Sequence, residues 1–154
     1  MAFTGTSISE ITIPASITSC DNEMAGPFCG ISTLKKVIFE NGTTSIPSCI
    51  LAGGTVWQAM YVEEIVIPSI VISIGDYAFR GCNNFYQESF TLPKDLKKIG
   101  KSAFMACSSL KKIILPDALE SIGEACFAGC KSLEKIDIPA HLTTIPQEAF
   151  STCT

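Results

Sequence analysis

A pair of apolar residues flanking one other residue recurs along the chain, usually just ahead of a proline. Five copies are Ile11-Thr12-Ile13-Pro14, Ile65-Val66-Ile67-Pro68, Phe90-Thr91-Leu92-Pro93, Ile113-Ile114-Leu115-Pro116 and Ile136-Asp137-Ile138-Pro139. A sixth, Val37-Ile38-Phe39-Glu40, keeps the apolar pair and loses the proline. This alternation predicts a short strand with one face inward, which proline ends because it has no N–H for a sheet ladder. A second landmark, Ala-Phe-x-x-Cys, runs from Ala78-Phe79 to Cys82, Ala103-Phe104 to Cys107 and Ala149-Phe150 to Cys153. Cys126-Phe127 to Cys130 is a variant with Cys in the Ala position. The landmarks keep phase: twelve residues separate the last apolar strand residue from the Phe in each of the last four copies.

Between them sits Ile-Gly or Ile-Pro, at Ile46-Pro47, Ile74-Gly75, Ile99-Gly100, Ile122-Gly123 and Ile145-Pro146. Glycine there predicts a tight bend, since it adopts backbone conformations barred to other residues. The segment that follows is expected to form a helical or 3₁₀ turn with the Phe inside. Successive Phe positions step by 25, 23 and 23 residues. A unit of this length cannot bury its own apolar face, so neighbouring copies must stack to share a core. The expected fold is an α/β-type solenoid, a right-handed superhelix with a parallel concave β-sheet and short helical or 3₁₀ turns. One domain is expected over 1–154 with about six repeats, irregular over 1–61 and regular over 62–154.

The pattern Leu-x-x-Ile-x-Ile-Pro…Ile-Gly-x-x-Ala-Phe-x-x-Cys resembles the leucine-rich repeats of the BspA type. The match is tight from Val62 to Cys153 and frays before that. The resemblance implies a leucine-rich repeat solenoid used for binding, often as an adhesin, secreted or at a cell surface. It implies no catalytic residues.

The 154 residues are 47% hydrophobic and 17% charged, with a net charge of −4. That suits a packed interior and not a disordered segment. No basic stripe is present to neutralise phosphates, which argues against a nucleic-acid partner. No run of 18 apolar residues occurs, so no membrane span is expected. Met1 to Glu10 lack the basic and apolar regions of a signal peptide.

Departures from the repeat suggest where specificity lies. Ile13 to Phe28 is fifteen residues instead of twelve. In the second repeat Ile50 is read as the replacement for Phe, and a Gly-rich, aromatic excess of six residues follows around Gly53 to Tyr61. The third repeat adds two residues near Cys82 to Glu88. Insertions in solenoids map to loops on one face, frequently the binding face. Trp57, Tyr61, Phe85 and Tyr86 either form one aromatic contact patch or plug the gaps these insertions open. The chain also ends in mid-repeat, which predicts a fragment, a rung capped by a partner, or end-to-end self-association.

Cys82, Cys107, Cys130 and Cys153 share one phase and are expected as an inward column of small hydrophobes. Cys126, and Cys49 with it, is assigned to the Ala position, so the repeat accounts for the Cys126/Cys130 spacing. Zinc would need four convergent ligands, and His141 is the only histidine. For Cys20 and Cys29 a disulfide is an alternative that spacing alone does not decide. No metal or cofactor is expected. Catalytic motifs such as Gly-x-Ser-x-Gly or a phosphate loop are missing, so the chain does not read as an enzyme.

The outward strand positions remain as the candidate contact surface. They are Thr12, Lys36, Ile38, Glu64, Val66, Thr91, Lys112, Ile114, Lys135 and Asp137. Ile38, Val66 and Ile114 are expected to give an exposed β-branched strip, either an interaction site or the ordinary strand preference of such residues. A protein ligand is expected, with a glycan as the alternative. The competing function is a structural subunit of a larger assembly.

Overall fold

A computed structural model describes residues 3, 6–20, 25–53, 60–84 and 89–153. The chain coils so that each repeat adds one rung, and three hydrogen-bonded ladders run along the stack. The first ladder holds the strands predicted from the apolar pairs: β1 (Glu10–Ile13), β2 (Lys36–Phe39), β4 (Glu64–Val66), β6 (Phe90–Thr91), β8 (Lys112–Ile114) and β10 (Lys135–Ile136). They pair in parallel as two sheets, β1-β2-β4 and β6-β8-β10. Register follows the repeat, with Val37 against Ile65 and Ile113 against both Phe90 and Ile136.

The prolines begin the next corner. The carbonyls of Pro68, Pro93, Pro116 and Pro139 each accept the N–H three residues on, at 3.0–3.1 Å. This tucks Val71, Leu96 and Leu119 into the core. Where proline is missing, Glu40 uses the freed N–H to donate to Ile13 O at 3.0 Å, and its carboxylate accepts from Ala15 N. The exception to the repeat thus has a job.

The Ile-Gly landmark is not only a bend. It carries a second parallel sheet of two-residue strands: β3 (Ser45–Ile46), β5 (Ser73–Ile74), β7 (Lys98–Ile99) and β9 (Ser121–Ile122). The glycines there do not need a left-handed backbone. They need to be small: a Cβ on Gly75, Gly100 or Gly123 would lie 2.3–2.6 Å from a backbone nitrogen of the preceding rung.

The third ladder is formed by the Phe turns. Among the described residues these contain no helix. Those of Phe79, Phe104 and Phe127 instead send three N–H groups each to carbonyls of the next rung, as from Tyr77, Phe79 and Gly81 to Lys101, Ala103 and Met105. The geometry demands positive φ at non-glycine residues, including Tyr77 (57°), Ser102 (51°), Ala106 (60°) and Ala125 (51°). The same ladder corrects the second repeat. Cys49, Leu51 and Gly53 donate where Tyr77, Phe79 and Gly81 do, so Leu51 holds the Phe position. Ile50 falls in the Ala position, and Cys49 takes the left-handed residue's place (φ 60°).

Inside, Phe79, Phe104, Phe127 and Phe150 form a column with centroids 5.2, 5.5 and 5.5 Å apart. Such pairs add about 0.5–1.5 kcal/mol each beyond area burial. Phe39, Leu96 and Leu119 are buried in the same core.

Candidate interaction surface

The outward positions of the first ladder fall where the alternation puts them. Thr12, Ile38 and Val66 are in register across β1, β2 and β4, and Thr91 and Ile114 across β6 and β8. Val66 and Ile114 are exposed, and Ile38 is half-buried. The apolar strip is interrupted: Ile38 abuts Val66, whereas the rung of Thr91 separates Val66 from Ile114. Asp137 lies just past β10 and stays exposed.

Charges on this face pair both between rungs and within one. Lys36 pairs with Glu64 at 3.2 Å, and beside them Lys35 pairs with Glu63 at 2.9 Å. Lys135 pairs with Asp137 at 3.2 Å. Lys112 and Lys135 are direct cross-strand neighbours of like charge, an arrangement that weakens pairing. On other faces Lys97 pairs with Glu120 and Lys101 with Glu124. A hydrogen bond to Glu124 raises the Lys101 pKa.

Two residues were missed in the sequence. Ile70 is 50% exposed and Ile72 is 47% exposed, at the corner that leads from β4 into β5. The preceding rung holds Gly42 with Thr44 in these positions, and the next two hold Asp95 with Lys97 and Ala118 with Glu120. With Val66, one rung therefore presents three exposed β-branched side chains. The apolar triplet Ile70-Val71-Ile72 concealed this, because such a run reads as core. Of the aromatic candidates, Tyr61 is exposed. Trp57, Phe85 and Tyr86 lie outside the described residues.

Six of the eight cysteines are buried, Cys29 among them, and Cys20 and Cys153 are half-buried. The repeat-phased ones form the expected column. Cys107, Cys130 and Cys153 donate their S–H to the carbonyls of Phe79, Phe104 and Phe127 at 3.1–3.2 Å. Cys82 faces Leu51 O at 3.8 Å. Ile31 and Met60 fill the same position in the first two repeats: Ile31 N bonds Phe28 O, and Met60 bridges Cys82. A position shared by Ile, Met and Cys is a packing position. Burial pushes the Cys82 and Cys107 thiols well up and the Cys130 thiol up to about 12, so none of these is a nucleophile at neutral pH. No group of three or more His, Cys, Asp or Glu able to hold a metal ion occurs among the described residues. No helix is long and apolar enough to cross a membrane among them. His141, exposed, reaches Leu119 O at 2.7 Å.

The model of the BspA type leucine rich repeat region matches residues 1–55 and 53–154 in six copies. The chain belongs to this family. No curated protein matches it. Among solved structures, a leucine-rich repeat protein from Bacteroides ovatus is 28% identical with a TM-score of 0.58, covering 86% of this chain and 37% of that one. A leucine rich cell surface protein from Faecalibacterium prausnitzii is 15% identical with a TM-score of 0.44, covering 95% of this chain and 65% of that one. A leucine-rich repeat protein from Eubacterium ventriosum is 22% identical with a TM-score of 0.35, covering 95% and 59%. The chain thus spans less than two thirds of each of these three. BspA-type repeats are a scaffold family, and the Bacteroides ovatus likeness agrees with the ladders described above.

Proposed function

We propose that this BspA-type solenoid is a protein-binding module whose contact face is centred on the rung of β4. The observation that carries the reading is the exposed trio Val66, Ile70 and Ile72, where the next two rungs hold Thr91, Asp95 and Lys97, and Ile114, Ala118 and Glu120. Exposed apolar clusters of this kind mark interaction sites more often than scattered single residues do. Ile38 extends the cluster along the first ladder, and Ile114 stands two rungs beyond Val66. The rim is charged and internally paired by Lys36 and Glu64, the usual surround of an apolar contact. An adhesion or surface-interaction role, secreted or cell-surface, is the form the family resemblance implies. A scaffold of packed rungs with buried thiols and no catalytic motif supports binding over catalysis.

The test is parallel capture by immobilised wild type and an Ile38→Lys/Val66→Lys/Ile114→Lys variant, with the fold of both checked by circular dichroism. Loss of the same bound protein from the folded variant supports the reading. Equal recovery on both sinks it.

A further inference from the structure

The corner between β2 and β3 lacks the proline of the other rungs and carries Asn41 followed by Gly42. Thr43 closes this turn on Glu40 O, from its N–H at 3.1 Å and its hydroxyl at 2.8 Å. Gly42 holds φ at 107°, whereas its counterparts Ile70, Asp95 and Ala118 do not take positive φ. Positive φ at the third position marks a type II turn, and the later turns, closed by the same backbone bond without it, have the type I form. The two types differ by rotation of the central peptide. Here that peptide joins two exposed residues, and among the described residues neither its N–H nor its carbonyl oxygen has a hydrogen-bond partner. Rotating it breaks no bond and leads to the form the neighbouring rungs already hold.

We propose that Asn41 is a site of self-modification, where the Gly42 nitrogen converts the side-chain amide into a carboxylate through a cyclic imide. The deprotonated nitrogen attacks Asn41 Cγ, so that the N–Cγ bond forms and the Cγ–Nδ2 bond breaks with loss of ammonia. Water then opens one of the two ring C–N bonds. Opening at Cγ gives aspartate, opening at the α-carbonyl gives isoaspartate, and nothing is oxidised or reduced. Gly42 suits this step because no side chain crowds its nitrogen or restrains the rotation. Asn83 is the contrast. Its Oδ1 accepts from Ser108 N at 3.2 Å and Ser108 Oγ at 3.1 Å, and its N–H donates to Met60 O at 2.8 Å, so its amide is held in place. The product lies beside the contact face: Ile72 N donates to Thr44 O at 2.9 Å, which aligns the Asn41–Gly42 turn with Ser69 and Ile70. The reaction does not depend on that face, and either reading can fail without the other.

The experiment incubates the full chain at pH 8.5 and 37 °C, both folded and in guanidinium chloride, and follows the tryptic peptide 37–80, whose only asparagine is Asn41. A gain of one mass unit at Asn41 is expected, together with methylation of the product by an isoaspartyl methyltransferase. Folding should slow the conversion less than tenfold, and Asn83 should stay intact in the folded chain over the same time. Gly42→Ala should slow the conversion at least tenfold in guanidinium chloride, where the fold of the variant does not enter. Slowing by folding of tenfold or more overturns the proposal. So do equal conversion at Asn83 in the folded chain, an equal rate in Gly42→Ala, and a product that is aspartate alone.

Discussion

The thiol of Cys107 donates to the carbonyl oxygen of Phe79 at 3.1 Å, one rung below. That oxygen also accepts the backbone N–H of Cys82, so both its lone pairs are used inside the core. Cysteine suits this position because it fills space as a small hydrophobe and still has one donor to give. Cys107→Val removes the donor while keeping the position filled and apolar, and should cost about 1 kcal/mol. Cys107→Ala leaves a void as well and should cost about 2 kcal/mol. Urea unfolding of the two variants checks both values and their order.

The same burial makes stability fall in alkali. A thiol in the unfolded chain ionises near 9.0, whereas burial holds Cys130 up to about 12. Between these values the unfolded state releases a proton that the folded state keeps. The contribution is therefore complete below pH 9 and is lost as pH rises toward 12. The slope is about 1.4 kcal/mol per pH unit for each such thiol. Urea midpoints at pH 8 and pH 10 should drop further for wild type than for Cys130→Val. Equal drops would show that Cys130 carries no such linkage.

Rung spacing at the second sheet depends on bare backbone. A methyl group on Gly100 would sit 2.6 Å from Asp76 N, in the rung to whose Ile74 O Gly100 N donates at 2.8 Å. Gly100→Ala should destabilise by about 1–3 kcal/mol through forced separation of two rungs. Thermal melts of this variant should show a lower Tm.

Opposite logic applies in the Phe turns. Ala106 holds φ at 60° with its side chain exposed, where Gly129 and Gly81 stand in neighbouring rungs. A left-handed L-residue carries about 1–2 kcal/mol of strain, partly offset by the greater freedom glycine loses on folding. Ala106→Gly should stabilise by about 0.5–1 kcal/mol. A lower Tm for this variant would contradict the ladder geometry.

The features that repeat were legible in the chain, and those that depend on neighbouring rungs were not. Apolar alternation located all six strands of the first ladder, since inward Val37, Ile65 and Ile113 share one phase. Two-residue strands such as Ser73–Ile74 are too short for any alternation to show, so the second sheet was hidden. Assigning Ile50 instead of Leu51 to the Phe position erred by one residue because no Phe marks that rung. Ile46 lies five residues before Leu51, as Ile74 does before Phe79, and that count would have located it. Positive φ at Tyr77 and Ser102 leaves no signature, because the ladder imposes it on residues with no such preference. Ile70 and Ile72 were masked by an apolar run whose members face different ways.

The claim that the rung of β4 binds a protein is tested most directly by quantitative capture from one extract on three immobilised chains. These are wild type, Val66→Lys/Ile70→Lys/Ile72→Lys, and Asp95→Lys/Ala118→Lys, which alters the same corner in the next two rungs. The account predicts a protein retained by the first and third and reduced at least tenfold on the second, with the three folds equally intact. Equal retention on all three, or loss on the third alone, would contradict it.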